Sequence, residues 1–551
     1  MPHRDRGVAW ISSRQSSSPI SLSSAREAKF QITQCPRPQR VRTEVCAAII
    51  VFGLVSFAAF YNLGLNPSTW RDEGGTLLLA RTVAEDGVYA VKNSDHYDAF
   101  GPVQSVGPTV ILPIAAIFRF RGIGLSQGRL IPAVYLLVAV VVFYFAARLL
   151  LGWQAGMIAV LLILSSPTVE LVYWGRQALG ELPGLGFFIA AWLLWALSLR
   201  NRKAWLWPIA GLLVGAAAIT KIQFGIIGIS ALLLVSAADY YWYRQGAYKS
   251  LLWIAAVAVS ITAVWWVWQL AYLGRAEFVE NAGKLRHLSA VTCGLDRHMT
   301  VEALKELFGP PLGYFYFFWG VPALIYAGIC SLRRTQQALL TCSLLSFTLL
   351  WLGYWLFWIT PWKQYGFPAF AVCAVFVTQL WAAILRVTQL STKALVEEFR
   401  RKSPGPATVG LASVAMLVTC LACSLIWTLH NEVIKNKQTV VLSTAAYLEA
   451  HVPRSSLIET WDRELALMTR HRYHVTDPML LQSARSPYAA AHEFSVGADY
   501  FQKFQPEYVV VGPLGRNGEL YDTKFLLDHA LSVNTIGNIE RRYEVYHLQW
   551  Q

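Results

Sequence analysis

Charge is scarce in this chain: only 15% of its 551 residues are Asp, Glu, Lys or Arg, against about 25% in ordinary soluble domains. That scarcity excludes a water-facing surface over most of the molecule. Cysteine is sparse as well. The eight cysteines are scattered, and the CxxC pair Cys420/Cys423 lies inside an apolar run with no partner pair. Two small core residues fit that setting better than zinc ligands. The final 121 residues hold no cysteine, so no disulfide framework supports them. Zinc-finger spacing, RNP-like strands, basic amphipathic helices and internal repeats are also missing, and with them the signatures of nucleic-acid binding. The net charge of +14 therefore reflects something else.

What is present is apolar sequence in blocks. Hydrophobic residues make up 55% of the chain, with 22 Trp and 24 Tyr, many near block ends, where amphipathic rings sit at headgroup depth. The blocks run to roughly 17–23 residues, the length a helix needs to cross ~30 Å of hydrocarbon. They predict eleven membrane helices, at 45–63, 130–147, 154–170, 182–199, 204–220, 222–238, 251–273, 312–330, 337–359, 365–386 and 408–429. The stretch 103–118 is apolar but short and carries Pro108 and Pro113. It reads as a re-entrant or interfacial helix of the first outer loop.

The positive charge then explains itself as topology. With the N-terminus inside, the inner segments hold 21 Lys/Arg against 6 Asp/Glu, the outer loops 14 against 13, and the stretch beyond 430 holds 12 against 14. Nearly all the excess lies on one side, which predicts a plasma-membrane protein with a cytoplasmic N-terminus. Residues 1–44 read as a disordered cytoplasmic tail, and the first apolar block as a retained signal anchor. The first outer loop spans 64–129 and the second 274–311. Residues 431–551 read as a small extracytoplasmic α/β domain, from helix- and strand-like segments such as "TAAYLEAHV", "SSLIETW", "PEYVVVGP" and "RRYEVYHL".

Ionisable residues cluster at the outer helix ends. "WRDEGG" sets Asp72 and Glu73 side by side just past the first helix. Charges so near the bilayer need a reason. One reading is helix capping of free N–H groups; the other is a rigidly held base, and the two are compatible. Glu181, in "YWGRQALGELPGLGFF", opens a helix with Pro183 close behind, and Arg176 lies five residues upstream. Lys221 stands alone between two apolar runs, Lys363 precedes a helix and Arg129 begins one. Cations on the outer side run against the charge bias; a lipid phosphate would account for them, as would snorkelling. His471 and His474 have short spacing, but on a strand they face opposite ways and no third ligand adjoins. No metal site is assigned.

In order along the chain, these motifs resemble the GT-C glycosyltransferases, of the protein O-mannosyltransferase and lipid A aminoarabinose transferase types. The resemblance rests on Asp72-Glu73 after the first helix, "GLSQGRLIPAVYLLV", "SSPTVELVYWGRQALGELPGLGFF", "ITKIQFG" and "WKQYGFPAF". It covers about 45–390. Two departures stand out. "QSVGPTVILP" replaces the usual Lys-Pro-Pro-Leu segment with its phosphate-binding lysine, and Glu181 stands where many relatives carry Asp.

The resemblance implies an all-α polytopic membrane enzyme moving a sugar from a polyprenyl-phosphate donor to a lipid, protein or polysaccharide acceptor, with inversion. It implies Asp72 as general base. Glu73 and Glu181 would shape the acceptor site or share a proton. Lys221, Lys363, Arg129 and Arg176 are the implied phosphate contacts, with Tyr365 beside them in the substrate site. No cofactor follows, and a divalent metal is left open. The rival is a transporter or flippase of lipid-linked substrates, which should show ionisable groups near helix centres and paired broken helices. Here the helix interiors are nearly free of charge.

Overall fold

The computed structural model describes residues 38–94, 96–99, 106–166, 169–292, 297–309, 319–359, 362–387, 405–474, 498–517, 519–538 and 541–550. The chain divides into two units, Met1–Cys46 and Ala47–Gln551. Residues 1–37 of the expected tail lie outside the described residues, and its remainder is helical, since the first helix begins at Pro38.

Helices α1 (Pro38–Phe60), α2 (Arg71–Asp86), α3 (Pro108–Arg121), α4 (Leu125–Gly128), α5 (Leu130–Leu151), α6 (Trp153–Ser165), α7 (Leu171–Gly175), α8 (Glu181–Asn201), α9 (Leu206–Thr220), α10 (Ile222–Ala238) and α11 (Tyr248–Leu273) make up the first half. Long helices follow at Gln336–Phe357, Lys363–Val387 and Pro406–Leu429. Among the described residues eight helices are long and apolar enough to cross a membrane, and three shorter apolar ones lie at Trp153–Ser165, Leu206–Thr220 and Val321–Ser331. Together they fall on the eleven expected blocks, of which 312–318 lies outside the described residues. The protein is a multi-pass membrane protein.

Without water to satisfy them, polar side chains between membrane helices must pair with one another. Trp192 Nε1 donates to Ser343 Oγ at 2.7 Å and Trp195 Nε1 to Ser250 Oγ at 3.0 Å, each joining two helices. Asp239 is buried at the turn after α10 and accepts from the backbone N–H groups of Gln245 and Tyr248, both at 2.8 Å.

One shifted boundary bears on the site. α6 stops at Ser165, short of the expected 170, because Ser166 precedes a proline and is extended, with φ −72° and ψ 115°. Glu170 thereby belongs to a loop.

The stretch 103–118 folds over Pro108–Arg121 as α3, packed on α2 through Val110, Ile111 and Leu77. Gly107 ahead of it donates its N–H to Thr220 O at 2.9 Å. A Cβ at Gly107 would lie 1.6 Å from Ile219 O, so only glycine allows this approach.

The C-terminal part is the α/β module the segments suggested. Strands β3 (Leu457–Thr460), β4 (Arg472–His474), β5 (Tyr508–Val511), β6 (Ala530–Gly537) and β7 (Arg542–Leu548) follow a hairpin of β1 (Ala90–Asn93) and β2 (His96–Ala99) earlier in the chain. The sheet order is β4-β3-β5-β7-β6, with β3 parallel to β4 and β5, and β7 antiparallel to β5 and β6. Alternation along the strands gives the sheet two apolar faces. Ile458, Val510, Tyr543 and Val545 join the core of α2 and α3, while Val509 and Tyr546 pack with Trp461 and Phe501 on the other side.

Candidate active site

The segment after α1 is tied down before α2 begins. Asn66 Nδ2 donates to Asn431 O and Lys435 O at 3.0 and 2.6 Å, and Thr69 N–H donates to Gln438 Oε1 at 2.7 Å. Trp70 is extended at φ −152°, and the helix starts at Arg71. Asp72 and Glu73 therefore both stand in the first turn, where free N–H groups favour carboxylates. Their fates differ.

Glu73 is fully buried. Its carboxylate is gripped by Arg129 through Nε at 2.8 Å and Nη2 at 2.5 Å, and it accepts the Ala178 N–H at 3.2 Å. Arg129 Nη1 also donates to Leu63 O and Pro67 O, each at 2.8 Å. Arg176, buried too, donates to Glu432 O at 2.8 Å and to Tyr61 O. Both guanidinium groups are thus engaged by the protein. Removing one member of such a pair strands a buried charge at a cost of about 3–5 kcal/mol, whereas replacing both by apolar groups is often neutral. Thermal unfolding in detergent should show Glu73→Gln and Arg129→Leu strongly destabilised, and the double variant Glu73→Leu/Arg129→Leu recovering much of the loss.

Asp72 is half-buried and makes no side-chain hydrogen bond or ion pair among the described residues. Its aromatic neighbour Trp70 donates Nε1–H to Gln177 Oε1 at 2.6 Å and stands edge-on to Trp174.

Glu181 opens α8 and pairs, buried, with Lys221. Lys221 occupies the extended break between α9 and α10, at φ −155° and ψ 122°. Its Nζ lies 5.0 Å over the Tyr365 ring. Tyr365 is in the first turn of the helix that Lys363 begins, stacked on Trp362 at 5.7 Å. One set of contacts thus joins Glu181, Lys221 and Tyr365, and Ala178, whose N–H Glu73 accepts, lies three positions before Glu181 in the chain. Lys363 is half-buried, and its charge favours the ionised form of Glu170.

Three carboxylates here carried no signal in the sequence. Burial pushes Glu170 up to about 7; Lys363 opposes the rise, Glu432 adds to it, and Lys437 and Trp174 also oppose it. In the C-terminal domain, the turn after β3 lays Trp461-Asp462-Arg463-Glu464 against the start of α2. A Cβ on Gly74 would meet Glu464 N at 2.6 Å and Arg463 C at 2.9 Å, and the Arg71 guanidinium lies 6.0 Å over Trp461. Burial holds Asp462 up at about 6, despite the N–H groups of Leu514, Gly512 and Gly515 and the charge of Arg71. Burial and Asp462 together hold Glu464 well above its ordinary range. His474, by contrast, is used up in the sheet: its Nδ1 sits 2.5 Å from Glu459 Oε2. Among the described residues no cluster of three His, Cys, Asp or Glu is placed to hold a metal.

Comparison with known proteins agrees with this architecture. Residues 105–268 match the family model "Dolichyl-phosphate-mannose-protein mannosyltransferase". ArnT of Cupriavidus metallidurans, solved bound to undecaprenyl phosphate, superposes with a TM-score of 0.56 at 16% identity, over 92% of this chain and 97% of that one. The archaeal oligosaccharyltransferase AglB of Archaeoglobus fulgidus, in complex with an inhibitory peptide and a dolichol-phosphate, gives 0.58 at 12% identity, over 93% of this chain and 75% of that one. No curated protein matches the chain by sequence. The chain has the fold of the GT-C glycosyltransferases, as its motifs suggested.

Proposed function

We propose that this protein transfers a sugar from a polyprenyl-phosphate donor to an acceptor hydroxyl or amine at the membrane surface, with Asp72 as the general base. The observation that carries the reading is the contrast within one helical turn: Glu73 is locked by Arg129, while its neighbour Asp72 has no side-chain partner among the described residues. A base must be held rigidly and still be free to accept a proton. The first turn of α2 meets both needs.

The acceptor's proton passes to Asp72 as its oxygen or nitrogen attacks the anomeric carbon from the face opposite the phosphate. Negative charge then grows on the departing phosphate, where fixed cations lower the barrier. Lys363 is the first candidate, half-buried at its helix end. Lys221 is the second, exchanging Glu181 for the phosphate. The buried Arg129 and Arg176 are committed to Glu73 and to backbone carbonyls, so their part is to fix the frame. The transfer domain is 45–430, and the site faces away from the cytoplasm, a sidedness supported by the inner concentration of Lys and Arg. The transporter alternative has no comparable support, because the ionisable groups meet at helix ends and not near helix centres.

The test is turnover by purified protein of a panel of polyprenyl-phosphate sugars, with and without chelator. Consumption of one donor with release of polyprenyl phosphate is expected; no consumption of any would overturn the reading. Lys363→Ala should raise the donor KM by at least tenfold, the loss expected when a charged contact of about 1.5–3 kcal/mol is removed.

A further inference from the structure

α1 and α5 are both long and apolar enough to cross the membrane, so the place where α1 ends and α5 begins lies at headgroup depth. A groove of about 720 Å³ opens there, between Phe60 at the end of α1, Leu130 at the start of α5 and Arg121 at the end of α3. That volume is in the range of small-ligand sites. The walls are mixed: Phe60 and Leu130 are apolar, Asn62, Arg121, Ser126 and Gln127 are polar, and no lining residue is acidic. Asn62 is already committed, its Nδ2 donating to Val433 O, Ile434 O and Asn436 Oδ1 at 3.2 Å each. Arg121 is exposed. Like the side chains of Ser126 and Gln127, it has no hydrogen-bond or ion-pair partner among the described residues.

A cation in the last turn of α3 is favoured by the helix dipole, but the dipole asks for neither a groove nor hydrogen-bonding side chains beside it. Phe120, between Arg119 and Arg121, is 84% exposed, and aromatic rings flanked by cations suit the lipid headgroup layer. We propose that this groove binds the headgroup of one anionic phospholipid from the surrounding bilayer. Arg121 pairs with its phosphate, Ser126 and Gln127 hydrogen-bond its polar oxygens, and its acyl chains run along Phe60 and Leu130 into the hydrocarbon. The site is separate from the Glu181–Lys221 pair. α3 spans 14 residues, about 20 Å at the helical rise, and at its other end Gly107 N–H meets Thr220 O, next to Lys221. Leu63, also in the groove wall, gives its carbonyl to Arg129 Nη1 at 2.8 Å. A lipid seated here therefore braces the segment that holds the Glu73–Arg129 pair.

The experiment measures, by native mass spectrometry of the full chain in detergent, the Kd of the first phosphatidylglycerol and of the first phosphatidylcholine to bind. Phosphatidylglycerol should bind about tenfold tighter, and Arg121→Gln should remove that advantage, as loss of a charge-assisted hydrogen bond does. Arg121→Lys keeps the cation and should keep most of the preference. Arg119→Gln removes the same charge from the same helix end but outside the groove, and should leave the preference unchanged. Gly64→Val fills the groove with every charge intact and should weaken phosphatidylglycerol binding; its Cβ would meet only Ser126, with Oγ at 2.5 Å, a side chain that can turn away. Lipid-free Arg121→Gln should unfold at the wild-type temperature, because Arg121 has no partner to lose. Equal affinity for the two lipids, a preference that survives Arg121→Gln, or an equal loss in Arg119→Gln overturns the proposal. So does displacement of the lipid by inorganic phosphate, which would make this a site for the free anion.

Discussion

Asp72→Asn is expected to slow sugar transfer by about 10²–10⁴-fold, with membrane insertion, thermal stability and donor binding close to wild type. The substitution keeps shape and removes only the capacity to take a proton. Nothing structural hangs on the carboxylate: among the described residues no side chain pairs with it, and the contact recorded at this position is Thr76 Oγ1 donating to the backbone carbonyl at 3.1 Å. The helix N-terminus loses one favourable charge, worth about 0.3–1 kcal/mol. The loss should fall on kcat rather than on KM for the donor, as it does when an interaction made only in the transition state is removed. Glu73→Gln one residue away should behave in the opposite manner, losing stability first. Equal damage to stability from both variants would reduce Asp72 to a capping residue.

Gly74→Val is expected to lower transfer on the order of 10²-fold through displacement alone. The new Cβ would lie 2.6 Å from Glu464 N and 2.9 Å from Glu464 Cα, both backbone atoms with no rotamer to escape into. Either the turn 461–464 lifts from α2 or α2 shifts beneath it. Either movement disturbs Asp72 two residues earlier, and a misplacement of about 1 Å in a reacting group costs on that scale. Overpacking adds roughly 1–3 kcal/mol of destabilisation. Hydrogen exchange should report faster opening of Leu457–Thr460 and of the turn after it. Gly53→Val in α1, where nothing lies within 4 Å, is the control and should remain active.

The residues that hydropathy and local chemistry mark were legible in the sequence. The apolar blocks fall on helices because length and composition decide that without tertiary help. Asp72, Glu181, Lys221 and Lys363 stood out because charge at the end of an apolar run is conspicuous wherever the chain goes next. Partnerships were not legible. Arg129 lies 56 positions from Glu73, and no local pattern says that its guanidinium closes on that carboxylate instead of a ligand. Glu170 was hidden by a boundary: with 154–170 read as one helix it looked like a last-turn acid, whereas the break at Ser166 puts it in a loop on left-handed backbone. Asp462 and Glu464 followed a strand-like segment in a domain with no apparent link to the membrane part. Their approach to Gly74 is a product of docking, and the paired glycines of "WRDEGG" make sense only once the turn above them is in place.

The most direct measurement uses a polyprenyl-phosphate sugar labelled with ¹³C at the anomeric carbon, followed by NMR through a single turnover on wild-type and Asp72→Asn protein. In the wild type the label should leave phosphate and join the acceptor with inverted anomeric configuration, while in the variant it stays on phosphate with the donor still bound. Transfer with retained configuration, or an Asp72→Asn protein that turns over at the wild-type rate, would contradict this mechanism.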